Sequence, residues 1–219
     1  MTDQTPSPVL QVDIVSDVVC PWCVVGLLQL QQALAARGQS AELRWHPFEL
    51  NPQMPPEGQN LRDHMIEKYG VTAADSQAAR DRLAAVGTEL GFTFAFSDDS
   101  RMVNTFRAHQ LLDWAGEQGS QLPLKLALFR ANFSEGRDVS DPEVLVELAA
   151  EAGLDPEAAR AVLSSGSHAE AVRQKEEYWT DHGIHSVPAM VFQGKYLVSG
   201  AQGIEGYAAL LDRLAQMPA

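Results

Sequence analysis

The sequence of 219 residues predicts an α/β protein with strands near its two ends and a block of helices between them. Residues 9–16 and 41–48 are rich in β-branched or alternating apolar side chains, as half-buried strands are. Residues 189–192 and 195–199 give the same signal on either side of Gln193-Gly194, a turn that favours a hairpin. The predicted order is therefore strand, helix, strand, helices, strand, strand, helix.

The helices follow from apolar spacing and from their end signals. From Pro21 the apolar residues recur at helical spacing until Gly38, which can adopt the left-handed conformation that ends a helix. Residues 61–183 predict six or seven further helices, and Asp141-Pro142 and Asp155-Pro156 combine an N-cap residue with a first-turn proline. Residues 208–214 predict the last helix. No internal repeat interrupts this order.

Composition excludes several classes of function. The chain has 45% apolar and 21% charged residues, which is typical of a globular protein. Its formal net charge of -13 disfavours nucleic acid and anionic membrane surfaces as partners. The longest apolar run, residues 18–28, is too short to cross a bilayer. The first basic residue is Arg37, so no secretory signal is apparent and we expect a cytoplasmic protein.

The chain has only two cysteines, and they form the motif Cys20-Pro21-Trp22-Cys23 at the predicted start of the first helix. The unpaired N–H groups and the positive end of the helix dipole favour a thiolate there, which is the form that attacks disulfides. Cys23 lies one turn further along on the same helix face and can close a disulfide with Cys20. The motif therefore predicts redox chemistry.

Two other interpretations of the cysteines remain open from the residues alone. They could be small core residues without a chemical role. They could also form a Cys₂His₂ metal site with His182 and His185, although this histidine spacing is shorter than the usual one. We expect neither a metal nor a bound cofactor.

Residues 13–26, DIVSDVVCPWCVVG, and Ser186-Val187-Pro188 resemble the DsbA-like thioredoxin-fold proteins, specifically the FrnE-type branch. The FELNP segment at 48–52 and the segment that contains Asn104 and His109 follow in the family's order, so the resemblance covers essentially the whole chain. It implies a thioredoxin fold (βαβ … ββα) with a large helical insertion. The implied divisions are 1–54, 55–183 and 184–219, in which the first and last form one core.

The resemblance also implies roles for the site residues. Cys20 is the attacking thiolate and Cys23 the resolving thiol. Val187 and Pro188 form a cis peptide that faces the dithiol, and the Val187 backbone binds the substrate chain. An ordinary proline at a strand start is the alternative for Pro188. Trp22 is either a contact for the substrate or a cover over apolar surface.

Three further residues are candidates for the site. Asp17 matches an acidic position of the family; we expect it to cap the first helix, with proton transfer at the thiols as the alternative. Asn104 and His109 also recur in the relatives, but a histidine on a helix is more often structural.

Two features of the chain differ from periplasmic DsbA. That enzyme carries a histidine between its cysteines, whereas Trp22 has no charge, so we expect a pKa at Cys20 that is lowered, but less than in DsbA. Some relatives carry a second cysteine pair, and this chain has none.

The leading functional prediction is a thiol–disulfide oxidoreductase that acts on protein or small-molecule disulfides, with glutathione as a candidate reductant or co-substrate. In a glutathione-buffered compartment, reduction or isomerisation is favoured over oxidation. The alternative is a glutathione-dependent isomerase or transferase, similar to 2-hydroxychromene-2-carboxylate isomerase and kappa-class glutathione transferase, which usually place serine at the position of Cys20. A non-catalytic binding module would leave the dithiol without a role.

Overall fold

The structure is a computed structural model that describes residues 9–217; the Pro-, Ser- and Thr-containing tail at 1–8 and residues 218–219 lie outside the described part. The elements in chain order are β1 (Leu10–Ser16), α1 (Pro21–Ala35), β2 (Ala41–Pro47), β3 (Gln59–Asn60), α2 (Leu61–Tyr69), α3 (Ala73–Leu90), β4 (Arg101–Met102), α4 (Phe106–Glu117), α5 (Gln121–Arg130), α6 (Pro142–Glu151), α7 (Pro156–Ser165), α8 (Ala169–Asp181), β5 (Ala189–Phe192), β6 (Tyr196–Ser199) and α9 (Gly203–Ala215). A π-helical turn, Ala131–Glu135, continues α5.

The sheet brings the two ends of the chain together. Its strand order is β2-β1-β5-β6, with β1 parallel to β2 and antiparallel to β5. The hairpin of β5 and β6 completes it. The prediction of an α/β thioredoxin fold with a helical insertion between its halves is confirmed. The exact division at 54 and 183 stays a prediction.

Two apolar clusters fill the interior. The sheet cluster includes the dithiol, the inner faces of β1 and β5, and parts of α1 and α9. The helical cluster consists mainly of side chains from α4 to α7 and includes Val18 and Val19, which precede the dithiol. Helix α5 contributes Leu124 and Leu128 to the helical cluster and Phe129 to the sheet cluster. One face of the insertion is thus part of the wall that surrounds the dithiol.

The predicted helix starts are confirmed at two points. Asp141 accepts a hydrogen bond from the backbone N–H of Glu143 at 2.8 Å, and Asp155 accepts one from Glu157 at 2.9 Å. Each precedes a proline in the first helical turn, where the missing N–H leaves no bond unmade. Seven α-helices, α2 to α8, occupy the described insertion, at the upper end of the predicted number.

Three local predictions were wrong. The hairpin loop has three residues, because Phe192 pairs with Tyr196, and Gln193 and Gly194 both have positive φ. The last helix begins at Gly203, five residues earlier than its apolar spacing indicated. The insertion also contains a two-residue ladder, β3 with β4, which is too short to leave an alternating pattern in the sequence.

A glycine allows α1 to approach the segment before β5. A Cβ atom at Gly26 would lie 3.3 Å from Cγ of Pro188 and 3.4 Å from the hydroxyl of Tyr207. These distances are tighter than ordinary van der Waals contact, so a side chain here would displace its neighbours. Gly26 therefore brings the helix that carries the dithiol against Pro188.

No helix within residues 9–217 is long and apolar enough to span a membrane.

Candidate active site

Cys20 is the N-cap residue of α1. Its backbone is extended, with φ -93° and ψ 108°, and Pro21 follows as the first helical residue. Both cysteines are free thiols, and Cys20 is 4% exposed, against 1% for Cys23. Cys20, the outer cysteine of the pair, is therefore slightly less buried than Cys23.

The dithiol faces the segment that enters β5. The Cys20 thiol donates a hydrogen bond to the backbone carbonyl of Val187, with an Sγ–O distance of 3.6 Å. The Val187–Pro188 peptide is cis, as the resemblance implies. Val187 is half-buried and Pro188 is buried. A backbone hydrogen-bonding group thus lies directly beside the outer sulfur.

The expectation that Asp17 caps the first helix is wrong. The start of α1 has no side-chain cap, and Cys20 itself occupies the cap position. The Asp17 carboxylate instead accepts the backbone N–H of Leu50 at 2.7 Å and lies 3.3 Å from Nε2 of His109. Burial raises the pKa of Asp17, but the hydrogen bond and charge of His109 outweigh this and lower the pKa below its ordinary value. Asp17 is thus a fully buried carboxylate in the loop that precedes Cys20.

His109 reaches the site through Asp17. Its Nε2 lies 3.0 Å from the carbonyl oxygen of Phe48 as well as 3.3 Å from Asp17, so this nitrogen carries the proton and donates to both acceptors. His109 is on α4, whereas Phe48 follows β2. The histidine therefore joins the helical insertion to the loop after β2 and to the dithiol loop.

Asn104 bonds away from the dithiol. Its side-chain oxygen accepts the backbone N–H of Phe106 at 3.0 Å, and its nitrogen donates to the carbonyl of Met54 at 3.3 Å. The first contact lies at the start of α4, and the second attaches Asn104 to the loop after β2. Trp22, by contrast, stands beside the sulfurs with 42% of its surface exposed, which suits either of the roles predicted for it.

The two thiols lie close together, and their pKa values shift in opposite directions. The hydrogen bond to Cys23, together with burial, raises the pKa of Cys20 well above its usual range. Burial also acts to raise the pKa of Cys23, but hydrogen bonds from Cys20 and Ser16 and the positive charge of Lys125 lower it overall. The expected lowering at Cys20 is therefore wrong for this arrangement of the reduced dithiol, in which the charge is stabilised on Cys23.

One proton shared between two adjacent sulfurs reconciles this arrangement with attack by Cys20. Once Cys23 has lost its proton, the S–H of Cys20 can donate to the Cys23 thiolate instead of to the Val187 carbonyl, which favours loss of the first proton from the pair. Transfer of that remaining proton from Cys20 to Cys23 moves the charge to the outer sulfur.

Sequence reasoning missed Lys125, which is buried to 1% exposure on α5. Burial lowers its pKa to about 8, despite the opposing attraction of Cys23, Asp17 and Cys20. A signal was available, because Lys125 lies in the apolar run LPLKLALF, one position after the buried Leu124 and four before the buried Phe129. Helical spacing thus places it on a buried face.

A pocket opens next to Leu50, whose backbone N–H bonds to Asp17. It has a volume of about 480 Å³ and is lined by the loop after β2 and by α2. Within the described residues, Nδ2 of Asn51 and Nε2 of His64 are buried and have no hydrogen-bond partner. Both residues line the pocket, and Leu50, which bonds to Asp17, lines it as well.

The alternative metal site is not assembled. Between residues 9 and 217 no group of three or more His, Cys, Asp or Glu side chains is arranged to hold a metal ion. His182 instead hydrogen-bonds through Nδ1 to the carbonyl of Tyr178 at 2.7 Å and packs on its ring.

Comparison with known proteins supports one family along almost the whole chain. Residues 11–212 match the DSBA-like thioredoxin domain. A probable DsbA oxidoreductase from Streptomyces coelicolor is 36% identical with a TM-score of 0.89, and the match covers 96% of this chain and 92% of that one. The protein YwbO of Bacillus subtilis is 26% identical over 195 residues, 89% of this chain and 92% of its own length.

More distant structures share the fold. The cytosolic disulfide reductase DsbM of Pseudomonas aeruginosa, solved with glutathione, is 20% identical with a TM-score of 0.63, over 94% of this chain and all of DsbM. A 2-hydroxychromene-2-carboxylate isomerase is 16% identical with a TM-score of 0.70, over 94% of this chain and 96% of that one. Together with the dithiol at the start of α1 and the adjacent cis-proline, the match over residues 11–212 shows that this chain belongs to the DSBA-like thioredoxin domain family.

Proposed function

We propose that this protein is a thiol–disulfide oxidoreductase that attacks disulfides of proteins or small molecules through a mixed disulfide on Cys20. The observation that carries the proposal is the position of the Cys20 sulfur, at the start of α1 and 3.6 Å from the Val187 carbonyl. A helix start stabilises the attacking thiolate, and the backbone of Val187 beside it can bind an extended substrate chain.

The proposed reaction has two displacements. The Cys20 thiolate attacks one sulfur of the substrate disulfide, the S–S bond breaks, and the other substrate sulfur leaves as a thiolate that takes up a proton. Cys23 then loses its proton and attacks Cys20, which forms the Cys20–Cys23 disulfide and releases the second substrate thiol. Two electrons pass from the dithiol to the substrate.

We propose reduction or isomerisation as the net direction in a glutathione-buffered cytoplasm. A dithiol in that environment rests mainly reduced unless its own potential is lower than that of the buffer, at about −220 to −320 mV. The cytosolic reductase DsbM, which shares the fold, supports this compartment and direction.

Disulfide reduction by the purified protein tests the leading proposal. We expect insulin reduction in the presence of glutathione by the wild type, none by Cys20→Ser, and a trapped mixed disulfide with Cys23→Ser. Retained turnover in Cys20→Ser would overturn the proposal. Ser134→Ala, which changes a hydroxyl bonded to the carbonyl of Thr93 far from the dithiol in sequence, serves as the control for handling and folding.

Glutathione is the small-molecule partner that we propose. The 480 Å³ pocket lined by Leu50 offers a donor at Nδ2 of Asn51 and an acceptor at Nε2 of His64, and both atoms lack partners within the described residues. A short polar peptide presents the complementary amide groups. Asn51→Ala and His64→Ala should raise the KM for glutathione severalfold and leave reduction by dithiothreitol unchanged; an unchanged KM for glutathione argues against this site.

The same pocket favours one second candidate, a glutathione-dependent isomerase. The fold shared with 2-hydroxychromene-2-carboxylate isomerase supports it, whereas the presence of both cysteines favours the oxidoreductase. Isomerisation of 2-hydroxychromene-2-carboxylate with glutathione, measured on the wild type and on Cys20→Ser, separates the two. Isomerase turnover without disulfide reduction would establish the second candidate.

A further inference from the structure

Lys125 is a cation held in an apolar setting. Its Nζ lies 5.1 Å from the ring centre of Trp45 and 4.9 Å from that of Phe129, both of which can attract a positive charge. Among residues 9–217 no carboxylate forms an ion pair with it and no acceptor takes a hydrogen bond from it. A lysine is rarely buried in this way without a paired group.

A small cavity lies beside the Lys125 side chain. Its volume is about 10 Å³, room for roughly one water molecule. Trp45, Gln121 and His109 are among the residues that line it with Lys125. A water here would solvate the ammonium without the charge reaching the surface.

The charged and titratable groups around Lys125 come from three elements. They are His46 on β2 and His109 and Asp113 on α4, which line the cavity with Lys125, and Asp17, Cys20 and Cys23 at the loop and start of α1, whose charges act on it. Trp45 and Phe129, the two rings against Lys125, belong to the same apolar cluster as Cys20 and Cys23. Asp113 is already bonded to Lys175 and His168, and Asp17 to His109 and Leu50. The acidic group near Lys125 that has no basic side chain hydrogen-bonded to it is therefore the dithiol.

The burial of the Lys125 ammonium group needs an explanation. Burial disfavours the ammonium form of Lys125, and Phe129 on the next turn shows that an apolar side chain fits this face of α5. Folding alone therefore does not account for a lysine. The charge does lower the pKa of both Asp17 and Cys23.

We propose that Lys125 is the counter-charge of the singly ionised dithiol, a positioning residue of the helical insertion that sets the reduction potential of the Cys20–Cys23 pair. The inference rests on the proposed function, in which the pair cycles between dithiol and disulfide. The reduced pair carries a negative charge and the disulfide carries none, so a nearby cation stabilises the reduced form selectively. Lys125 exchanges no electrons and forms no bond with the substrate.

The test measures the potential directly. Wild type, Lys125→Met and the surface control Lys195→Met are equilibrated with mixtures of reduced and oxidised glutathione, and the thiols are then counted by alkylation and mass spectrometry. We expect Lys125→Met to shift the equilibrium toward its disulfide by about tenfold, equal to about 30 mV for this two-electron couple. Lys195→Met removes the same charge from an exposed loop and should behave as the wild type.

A second readout separates electrostatics from packing. The pH at half-maximal alkylation rate should rise by about one unit in Lys125→Met, the equivalent of the tenfold shift. Lys125→Arg, which keeps the charge, should return both values toward the wild type; Lys125→Gln replaces the methionine variant if that one does not fold. An unchanged potential and an unchanged alkylation profile overturn the inference. Neither measurement needs a protein substrate, so a failure of insulin reduction would count against the proposed function alone.

Discussion

The dithiol lies between two walls that are built on different principles. The sheet wall, formed by the start of α1 and the Val187–Pro188 segment, acts mainly through backbone groups: a helix terminus and a carbonyl. The helical wall, formed by α4 and α5, acts through the buried side chains of His109 and Lys125. In the proposed function the first wall presents the Cys20 sulfur to a substrate, and in our inference the second sets how readily the cysteine pair ionises. Without the insertion, we would expect the fold to keep the proposed reaction and to lose this means of adjusting it.

The largest effect should come from the sheet wall. In Cys23→Ser the attack by Cys20 is intact but nothing resolves the adduct, so turnover should fall about a hundredfold or more. Mass spectrometry under non-reducing conditions should show one substrate equivalent bound to the variant and released by dithiothreitol. Cys20→Ser should show no adduct, and an adduct on Cys23 in that variant would reverse the assigned order of the two cysteines.

In the helical wall, we expect a substitution that disturbs the dithiol chemistry to raise the stability of the fold. Since the pKa of Lys125 falls from 10.5 to about 8 on folding, at about 1.4 kcal/mol per unit, the charged lysine costs about 3 kcal/mol at neutral pH. Lys125→Met should therefore be more stable than the wild type at pH 7 by an amount of this order. A less stable variant would show that the lysine supports folding.

The pH dependence of this difference follows from the same shift. Between about pH 8 and 10.5 the unfolded chain binds the proton that folded Lys125 has released, so the stability of the wild type rises with pH. The advantage of Lys125→Met should thus be complete below pH 8 and fade toward pH 10.5. Urea unfolding at several pH values measures it, with Lys195→Met as the control.

Asp17 connects the two walls, and its loss should destabilise the fold. Asp17→Ala leaves the N–H of Leu50 without its acceptor, at a cost of about 2 kcal/mol, whereas Asp17→Asn keeps an acceptor oxygen and should lose less. Because the folded-state pKa of Asp17 is lowered, its contribution is complete above its ordinary pKa of 3.8 and is lost as the pH falls through the folded value. Acid unfolding should therefore begin at a higher pH in Asp17→Ala; equal acid profiles would contradict this role.

The smallest effect is expected at Trp22, on the outer rim of the sheet wall. Trp22→Ala should change the free energy of unfolding by about 0.5 kcal/mol or less, because 42% of the residue's surface remains exposed in the fold. If Trp22 contacts protein substrates, the variant should have a raised KM for insulin and an unchanged KM for oxidised glutathione. A loss of stability instead would identify the ring as a cover over apolar surface.

The sequence predicted the sheet wall better than the helical wall for a physical reason. The Cys20 motif, the strands and the proline-marked helix starts depend on neighbouring residues, so local patterns contain them. The role of Asp17 depends on Leu50 and His109, which are 33 and 92 residues away. From its neighbours in sequence, Asp17 was expected to be an N-cap residue. Its carboxylate instead bonds to the distant residues Leu50 and His109. Lys125 was visible only as a charge on an apolar face, and nothing in the sequence shows what it faces.

Gly26 constrains the site sterically, without contributing any polar or reactive group. The helix that bears the sulfurs rests on the ring of Pro188 through a residue without a side chain, and a single methyl group would occupy that contact. The residues between the cysteines can be exchanged, since Trp22 is partly exposed. One turn further along, at Gly26, almost no side chain fits. We therefore expect that substitutions in the helical insertion can change the reduction potential of the dithiol. The spacing between α1 and the Val187–Pro188 segment, in contrast, tolerates little change.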